Sequence, residues 1–468
     1  MPKSSYASVV LDMDTEAEPQ AHPLEPRSDH PFRILVLGDF SGRTNRGEPP
    51  PSRLRPYLID RDIFDEVLAR MRPELELGPH GRGMVLRFRE LDDFHPDNIY
   101  RQDVFEKFRA VRHLLATQAP PATAAAPAPA PPQAPDLPAL TGGSLLDSIL
   151  ETTEAQPPRQ PDALREFIER AVAPHTAPRE DARLAARNAE VSAEAGKVMR
   201  ALLHHSDFQA LEAAWRALDW LVRGLETGPH LKVYALDISK ADVPGSLREL
   251  RRILVDEAAG TPGGEPWALV AANFTFSRNA SDIRLLTGLA GIVRAAGAAL
   301  VAEADPDDAD APAAERLWQA LRGSPEASSI GLALPRFLLR LPYGEKTSTI
   351  ESFAFEEMPG TPDHHEYLWG NPAFACAYLL GRAFSRDGWD LRPGTQTLIS
   401  GLPLHVYESD GEQQLKPCAE VLMTEAEADW VLERGCMPLV SIKNQDAVRL
   451  LRFQSIAQPP APLSGPWT

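Results

Sequence analysis

The sequence predicts an α/β fold: a small α/β unit joined by a Pro/Ala linker to a larger unit, whose mainly parallel sheet is flanked by helices. Three observations predict it. Between residues 206 and 334, apolar runs of strand length alternate with helical patterns, the order that builds a parallel sheet covered by helices. Residues 31–118 carry strand and helix patterns of their own. The two regions are separated by residues 119–139, APPATAAAPAPAPPQAPDLPA, too poor in large apolar side chains to bury a core. As polyproline II, at about 3.1 Å per residue, this stretch reaches roughly 60 Å. The expected organisation is an acidic disordered tail (1–30), a small domain (31–118), a linker (119–141), an N-terminal helical segment (142–194) and a large domain (195–468).

The small domain opens with RILVLGDFSGR (33–43), whose strand is expected at Phe32–Leu37. A helix follows near Asp62–Met71. MVLRFREL then alternates Met84, Leu86, Phe88 against Val85, Arg87, Arg89, a strand with two unlike faces. A helix over Asp97–Leu115 completes it. In the large domain the spacing predicts helices over 206–223, 246–257, 280–297 and 312–321, and strands over 231–238, 267–272, 298–303 and 329–334. The first helix repeats Phe208, Leu211, Trp215, Leu218 and Val222 as one apolar stripe, with Ser206 and Gln209 in capping-box positions. Further on, PLHVYESDGEQQLKPCAEVLM reads as a hairpin turning at Asp410-Gly411, Thr424 caps a short helix, and MPLVSIK is a strand. There is no internal repeat.

Bulk composition narrows the function. The 468 residues have a formal net charge of -18. That charge opposes sequence-independent nucleic-acid binding, which depends on neutralising phosphates, and opposes anionic membrane surfaces. No run approaches the roughly 20 apolar residues that span a bilayer. The N-terminus lacks the apolar core of a signal peptide, so a cytoplasmic protein is expected. Three scattered cysteines, Cys376, Cys418 and Cys436, form no CxxC pair. They argue against a disulfide framework or structural zinc site, and fit a reducing compartment.

Candidate chemistry is thin. RILVLGDFSGR resembles the start of a nucleotide loop, but Gly42 is followed by Arg43-Thr44-Asn45 rather than Lys and Ser/Thr. The chain then runs into TNRGEPPPSRLRP, which cannot be the helix a Rossmann fingerprint requires. A buried strand and a glycine turn is the expectation. In DHHEYLW (363–369), adjacent His364, His365 and Glu366 diverge on any regular element, and the stretch reads as a polar loop rather than a metal site. YGEKT (343–347) reads as a turn, and His204-His205 as an exposed lead-in to a helix. No catalytic, cofactor or metal residues are expected, and no enzyme.

Residues 142–151, GGSLLDSILE, are more informative. Ser144 and Asp147 have capping-box spacing, and Leu145, Leu146, Ile149 and Leu150 form one apolar face. A helix of two turns between proline-rich segments is too short to be stable alone. Two readings stay open on physical grounds: a tethered motif for a partner's groove, or a helix docked on its own large domain.

The small region resembles the small subunit of the type VI secretion contractile sheath (TssB/VipA-like). The matching runs are PFRILVLGDFSGR, LIDRDIFDEVLARMRPELEL and LRFRELDDFHPDNIYRQDVFEKFRAVRHLL. The large region resembles the large subunit (TssC/VipB-like) through LLHHSDFQALEAAWRALDWLV, SIGLALPRFLLRLPYGEKT, EYLWGNPAFACA, ISGLPLHVY and GCMPLVSIKNQDAVRLLRFQSIAQPP. The resemblance implies a natural fusion of two subunits that normally form an intertwined α/β heterodimer. Such heterodimers assemble into a contractile tube around an inner tube on a baseplate. It also implies that RILVLGDFSGR is structural. By its position, SLLDSILE would be the helix recognised by a ClpV-type AAA+ ATPase, with Leu145, Leu146, Ile149 and Leu150 as anchors.

The sequence departs from the family pattern after Gln454-Ser455, where the large subunit normally continues, and at the linker, which replaces the small subunit's C-terminal helical region. The expected function is a structural sheath component, joined to its own copies or to separate small and large subunits by sheet augmentation. The alternative is a sheath-like accessory: a cap, an assembly regulator or an adaptor to the ATPase. An enzyme using DHHEYLW or YGEKT is the third reading.

Overall fold

The computed structural model describes residues 29–77, 84–118, 179–260, 264–305, 312–409 and 411–467. They fall into two units, one formed by residues 1–104 together with 196–468, the other by Phe105–Ala195. The strands are β1 (Phe32–Gly38), β2 (Tyr57–Ile59), β3 (Glu74–Leu77), β4 (Met84–Arg87), β5 (Leu231–Asp237), β6 (Leu269–Phe276), β7 (Ala299–Ala304), β8 (Ile330–Leu334), β9 (Phe337–Leu338), β10 (Trp369–Gly370), β11 (Leu398–Ser400), β12 (His405–Ser409), β13 (Glu412–Lys416), β14 (Cys436–Ser441) and β15 (Ala447–Leu450). The main helices are α1 (Phe64–Met71), α2 (Pro96–Arg101), α3 (Glu106–Gln118), α4 (Arg179–Leu203), α5 (Ser206–Gly224), α6 (Val243–Arg251), α7 (Ala280–Ala295), α8 (Pro312–Arg322), α9 (Pro372–Asp387) and α10 (Glu425–Glu433).

A nine-stranded sheet of order β11-β15-β14-β8-β7-β6-β1-β5-β2 organises the first unit. From β14 to β5 all neighbours are parallel, and antiparallel strands close both ends: β2 on β5, and β15 then β11 beyond β14. Sequence reading placed residues 31–118 and 195–468 in separate domains. In the structure β1 lies between β5 and β6, aligned from Phe32 on Leu231 to Gly38 on Asp237, and from Ile34 on Leu269 to Leu37 on Ala272. Its composition explains the position. Phe32, Ile34, Leu35, Val36 and Leu37 are all fully buried, the near-continuous apolar run of a parallel strand covered on both faces. Helix α9 packs across β6 and β7 and against α5, while α7 packs with α6 and α8.

The stripe of α5 is buried as its spacing predicts, and most of its aromatic partners come from the N-terminal region. The ring of Trp215 meets Phe40 (5.2 Å) and Phe64 (5.7 Å) edge-on, and its Nε1–H donates to the Phe40 carbonyl at 2.8 Å. Phe208 meets both members of the stacked Phe88–Phe94 pair at 6.0 Å. The cap of α5 is His205, whose Nδ1 accepts from the Asp207 N–H; Ser206 is already helical, so its capping box with Gln209 does not form. Instead the Gln209 side chain donates to the His365 carbonyl.

Other boundaries shift for local reasons. The helix expected over 97–115 breaks at Gln102, which is extended, and whose side chain bonds both backbone groups of Arg87 on β4. The helix expected over 246–257 passes into a π turn at Arg252–Asp256. Strands β2 and β3 escaped the sequence reading because they are only three and four residues long, although Leu75 and Leu77 of β3 do alternate with Glu74 and Glu76.

The pairing of Trp215 with Phe40 gives a graded expectation. Trp215→Phe keeps most of the packing but strips a buried carbonyl of its donor, and should lower stability by about 1–3 kcal/mol. Trp215→Ala opens a cavity and should lower it by about 3–5 kcal/mol. Denaturant midpoints of the two variants check both.

Candidate assembly interface

The glycine turn after β1 is filled by its own side chains. Asp39 accepts the backbone N–H groups of Arg43 and Thr44, both at 3.0 Å, so a carboxylate already occupies the place where a phosphate would sit. Ser41 donates from N–H and hydroxyl to Asp237 at the end of β5, and Arg43 Nε reaches the same carboxylate at 3.1 Å. Gly42 has φ +70, and a Cβ there would lie 2.7 Å from the Glu74 carbonyl oxygen. The turn therefore needs glycine to let β3 cross it. This motif joins the N-terminal region to β5.

A buried ion network forms a second joint. Glu212 on α5 and Glu357 are both fully buried. Arg340 bridges them, 2.9 Å from Glu212 and 2.8 Å from Glu357. Arg216 pairs with Glu212 at 2.6 Å and donates to the Tyr343 hydroxyl at 2.9 Å. The Tyr343 N–H donates to Glu357 at 2.7 Å. Burial alone would raise the Glu357 carboxyl; the Arg340 charge and these hydrogen bonds outweigh it and bring it down to about 2. The network pins the loop containing YGEKT, whose Gly344 and Thr347 close a turn. From the N-terminal region, Asp97 accepts the N–H groups of Glu351 and Ser352, and His95 packs edge-on against Tyr343 at 5.0 Å.

DHHEYLW is a 3-10 turn at His364–Glu366 capped by Asp363. His364 lies 3.2 Å from Glu420 and 3.3 Å from Lys416 on β13. His204 is partly buried rather than an exposed lead-in, 3.5 Å from Glu357 and 3.6 Å from Glu366. Among the described residues no group of three or more His, Cys, Asp or Glu is placed to hold a metal ion. Glu303 on β7 is 7% exposed, accepts from Thr275 and Asn371 at 2.8 and 3.0 Å, and lies 3.8 Å from Arg336, which in turn pairs with Glu420. Burial pushes its carboxyl up to about 7, against the Thr275 hydroxyl and the Arg336 charge.

The surface features suited to assembly are strand edges. Edge strands β2 and β11 carry half-exposed Leu58 and Leu398. The β12–β13 hairpin presents Val406 opposite Leu415, both half-exposed, and Val421 and Leu422 are exposed as well. A strand edge offers unpaired backbone groups to another chain. The anchors proposed from sequence, Leu145, Leu146, Ile149 and Leu150, lie outside the described residues. No helix of the structure is long and apolar enough to cross a membrane, among the described residues.

Two of the buried carboxylates, Glu357 and Glu303, set opposite pH dependences. Glu357, lowered from 4.5 to about 2, stabilises the fold above pH 4.5, and that stability is lost as pH falls from there through about 2. Glu303, raised from 4.5 to about 7, favours the fold below pH 4.5, and that contribution is lost as pH rises through about 7. Glu357→Gln should destabilise at neutral pH by about 3–5 kcal/mol, because Arg340 loses a charged partner. Glu303→Gln should flatten the decline in melting temperature between pH 5 and about pH 8. Thermal melts across pH check both.

The VipB family profile, described as EvpB/VC_A0108, tail sheath N-terminal domain, matches residues 186–311 and 309–457. A second profile, described as Type VI secretion system, VipA, VC_A0107 or Hcp2, matches residues 16–120. The type VI secretion system sheath protein TssC1 of Pseudomonas aeruginosa is 33% identical over 307 residues, 59% of this chain and 61% of that protein. The chain thus spans about three-fifths of the length of this curated relative. A cryo-EM structure of the anti-feeding prophage helical sheath in its contracted state aligns at 15% identity and a TM-score of 0.27, covering 51% of this chain and 50% of that one. The VipB profile spans more than half of the sequence, and the chain belongs to the VipB tail-sheath family, with a VipA-type region in the same polypeptide.

Proposed function

We propose that this protein is a structural subunit of a type VI secretion contractile sheath, one polypeptide supplying both the small and the large half of the protomer. The single observation that carries the reading is β1. A strand from the VipA-type region sits between two strands of the VipB-type region, so the two halves share one sheet. The chain acts by assembly and carries out no catalysis. Its partners are further copies or separate small and large subunits, joined by strand addition at β2, β11 and the β12–β13 hairpin, where backbone pairing gives affinity and exposed Leu58, Leu398, Val406 and Leu415 give register. The inner tube protein and the baseplate are the contacts that follow for an assembled sheath, and the cytoplasm is its place of assembly.

The alternative, an accessory adaptor, is favoured by one observation, the apolar face of residues 144–150. In either role, Leu145, Leu146, Ile149 and Leu150 are proposed to enter a hydrophobic groove on a ClpV-type AAA+ ATPase.

Negative-stain electron microscopy of the purified chain, alone and with separate sheath subunits, distinguishes the roles. Tubes or rings from the chain alone are expected of a protomer. Particles that bind only at sheath ends would favour the accessory, and absence of any association would contradict both. Leu146→Asp should abolish ATPase pull-down while leaving assembly unchanged; unchanged pull-down would remove the motif from the account.

A further inference from the structure

The strongest unexplained feature is a buried cation. Arg322, at the end of α8, is 7% exposed. Its Nε donates to the Ile456 carbonyl at 2.8 Å, and among the described residues no carboxylate pairs with it. Arg278 and Arg434 lie near it, Cys436 offsets them in part, and Asp305, Glu315 and Glu433 line the same cavity without bonding to it. Burial first, and then Arg278 and Arg434, hold its pKa below the ordinary arginine value. A guanidinium removed from water without an anion is expensive, so an anion bound there would relieve that cost.

Arg322 lines a cavity of about 560 Å³, within the range of small-molecule sites. The cavity lies at the carboxyl ends of β6, β7 and β8, whose last residues, Phe276, Ala304 and Leu334, line it. In open α/β sheets this is the end where ligands collect. Its apolar lining includes Trp318, almost fully buried, and Trp430, 48% exposed. The Arg434 guanidinium sits 4.2 Å from the Trp430 ring centroid, which holds that ring in place and adds positive charge. Arg278, also lining the cavity, pairs with Glu315.

We propose that this cavity binds a small organic anion with a flat apolar body, its carboxylate or phosphate on Arg322 and its body against Trp318 and Trp430. Arg322 supplies a planar fork of donors that matches either oxyanion, and the indole rings supply the apolar surface. The site is separate from the edge strands and does not depend on the sheath reading.

Isothermal titration of the full chain with three probes tests it: indole-3-acetate, neutral indole and inorganic phosphate. Indole-3-acetate is expected to bind once per chain and more tightly than either other probe, and to raise the melting temperature. Arg322→Met should weaken that binding about tenfold or more, from the loss of charge-assisted hydrogen bonds. Trp430→Ala, at a half-exposed position that tolerates truncation, should weaken it as well, and keeps the test open should Arg322→Met fail to fold. No binding of any probe at millimolar concentration, or equal binding by phosphate and indole-3-acetate, would overturn the proposal. So would binding unaffected by Arg322→Met. One further result would also overturn it: if replacing Asp307, Asp308 and Asp310 by Asn lowers the melting temperature, and adding Arg322→Met lowers it no further, the counter-ion is the chain's own.

Discussion

A buried parallel strand constrains everything else in this molecule. β1 lies between β5 and β6, with its side chains covered on both faces, so its backbone groups have only those two strands as partners. An unpaired buried N–H or C=O is costly, and a strand of this kind cannot be left to solvent. The N-terminal region therefore has no satisfactory fold without residues 196–467, and β5 and β6 have no satisfactory neighbours without β1. The ladder runs on past the strand itself: Phe32 N–H donates to the His230 carbonyl, Ile238 N–H to Gly38, and Ala268 N–H to Arg33.

The joint is then reinforced in two chemically different ways. Aromatic rings from the N-terminal region, Phe40, Phe64, Phe88 and Phe94, fill the apolar stripe of α5. Beside them the Glu212–Arg340–Glu357 network, with Arg216 and Tyr343, holds the loop that Asp97 grips from the other side. Apolar packing supplies strength without direction. The buried ions, each with several partners, supply a geometry that tolerates few alternatives, although a buried ion pair by itself is weak evidence for stability. The two halves are thus held by a shared sheet, a shared apolar core and a shared ion network.

Much of this was legible in the sequence. The α/β class followed from the alternation after residue 206, and the stripe on α5 from Phe208, Leu211, Trp215, Leu218 and Val222. The near-absence of polar residues from RILVLG marked a buried strand; that both of its faces are covered emerged only with the fold. Its neighbours, however, were about 200 residues away, and periodicity carries no information about pairing over that distance. The glycine turn resembled a phosphate loop for a physical reason: both need backbone N–H groups aimed at an anion, and here Asp39 is the anion. His205 as a cap was hidden because imidazole is an uncommon acceptor at that position, next to a serine that fits it better. The network around Arg340 was invisible, since Glu212 and Glu357 read as ordinary surface acids until the fold buries them.

The central claim is that β1 is an integral strand of a sheet built from both halves. Hydrogen–deuterium exchange of the intact chain tests it most directly, because amide protection reports the opening unit to which each strand belongs. The account requires the amides of Ile34–Leu37 to exchange as slowly as those of Val233–Leu236 and Val270–Ala272, and all three strands to lose protection together as denaturant is added. Fast exchange of Ile34–Leu37 while β5 and β6 remain protected would show that the N-terminal strand is not part of the sheet, and would contradict it.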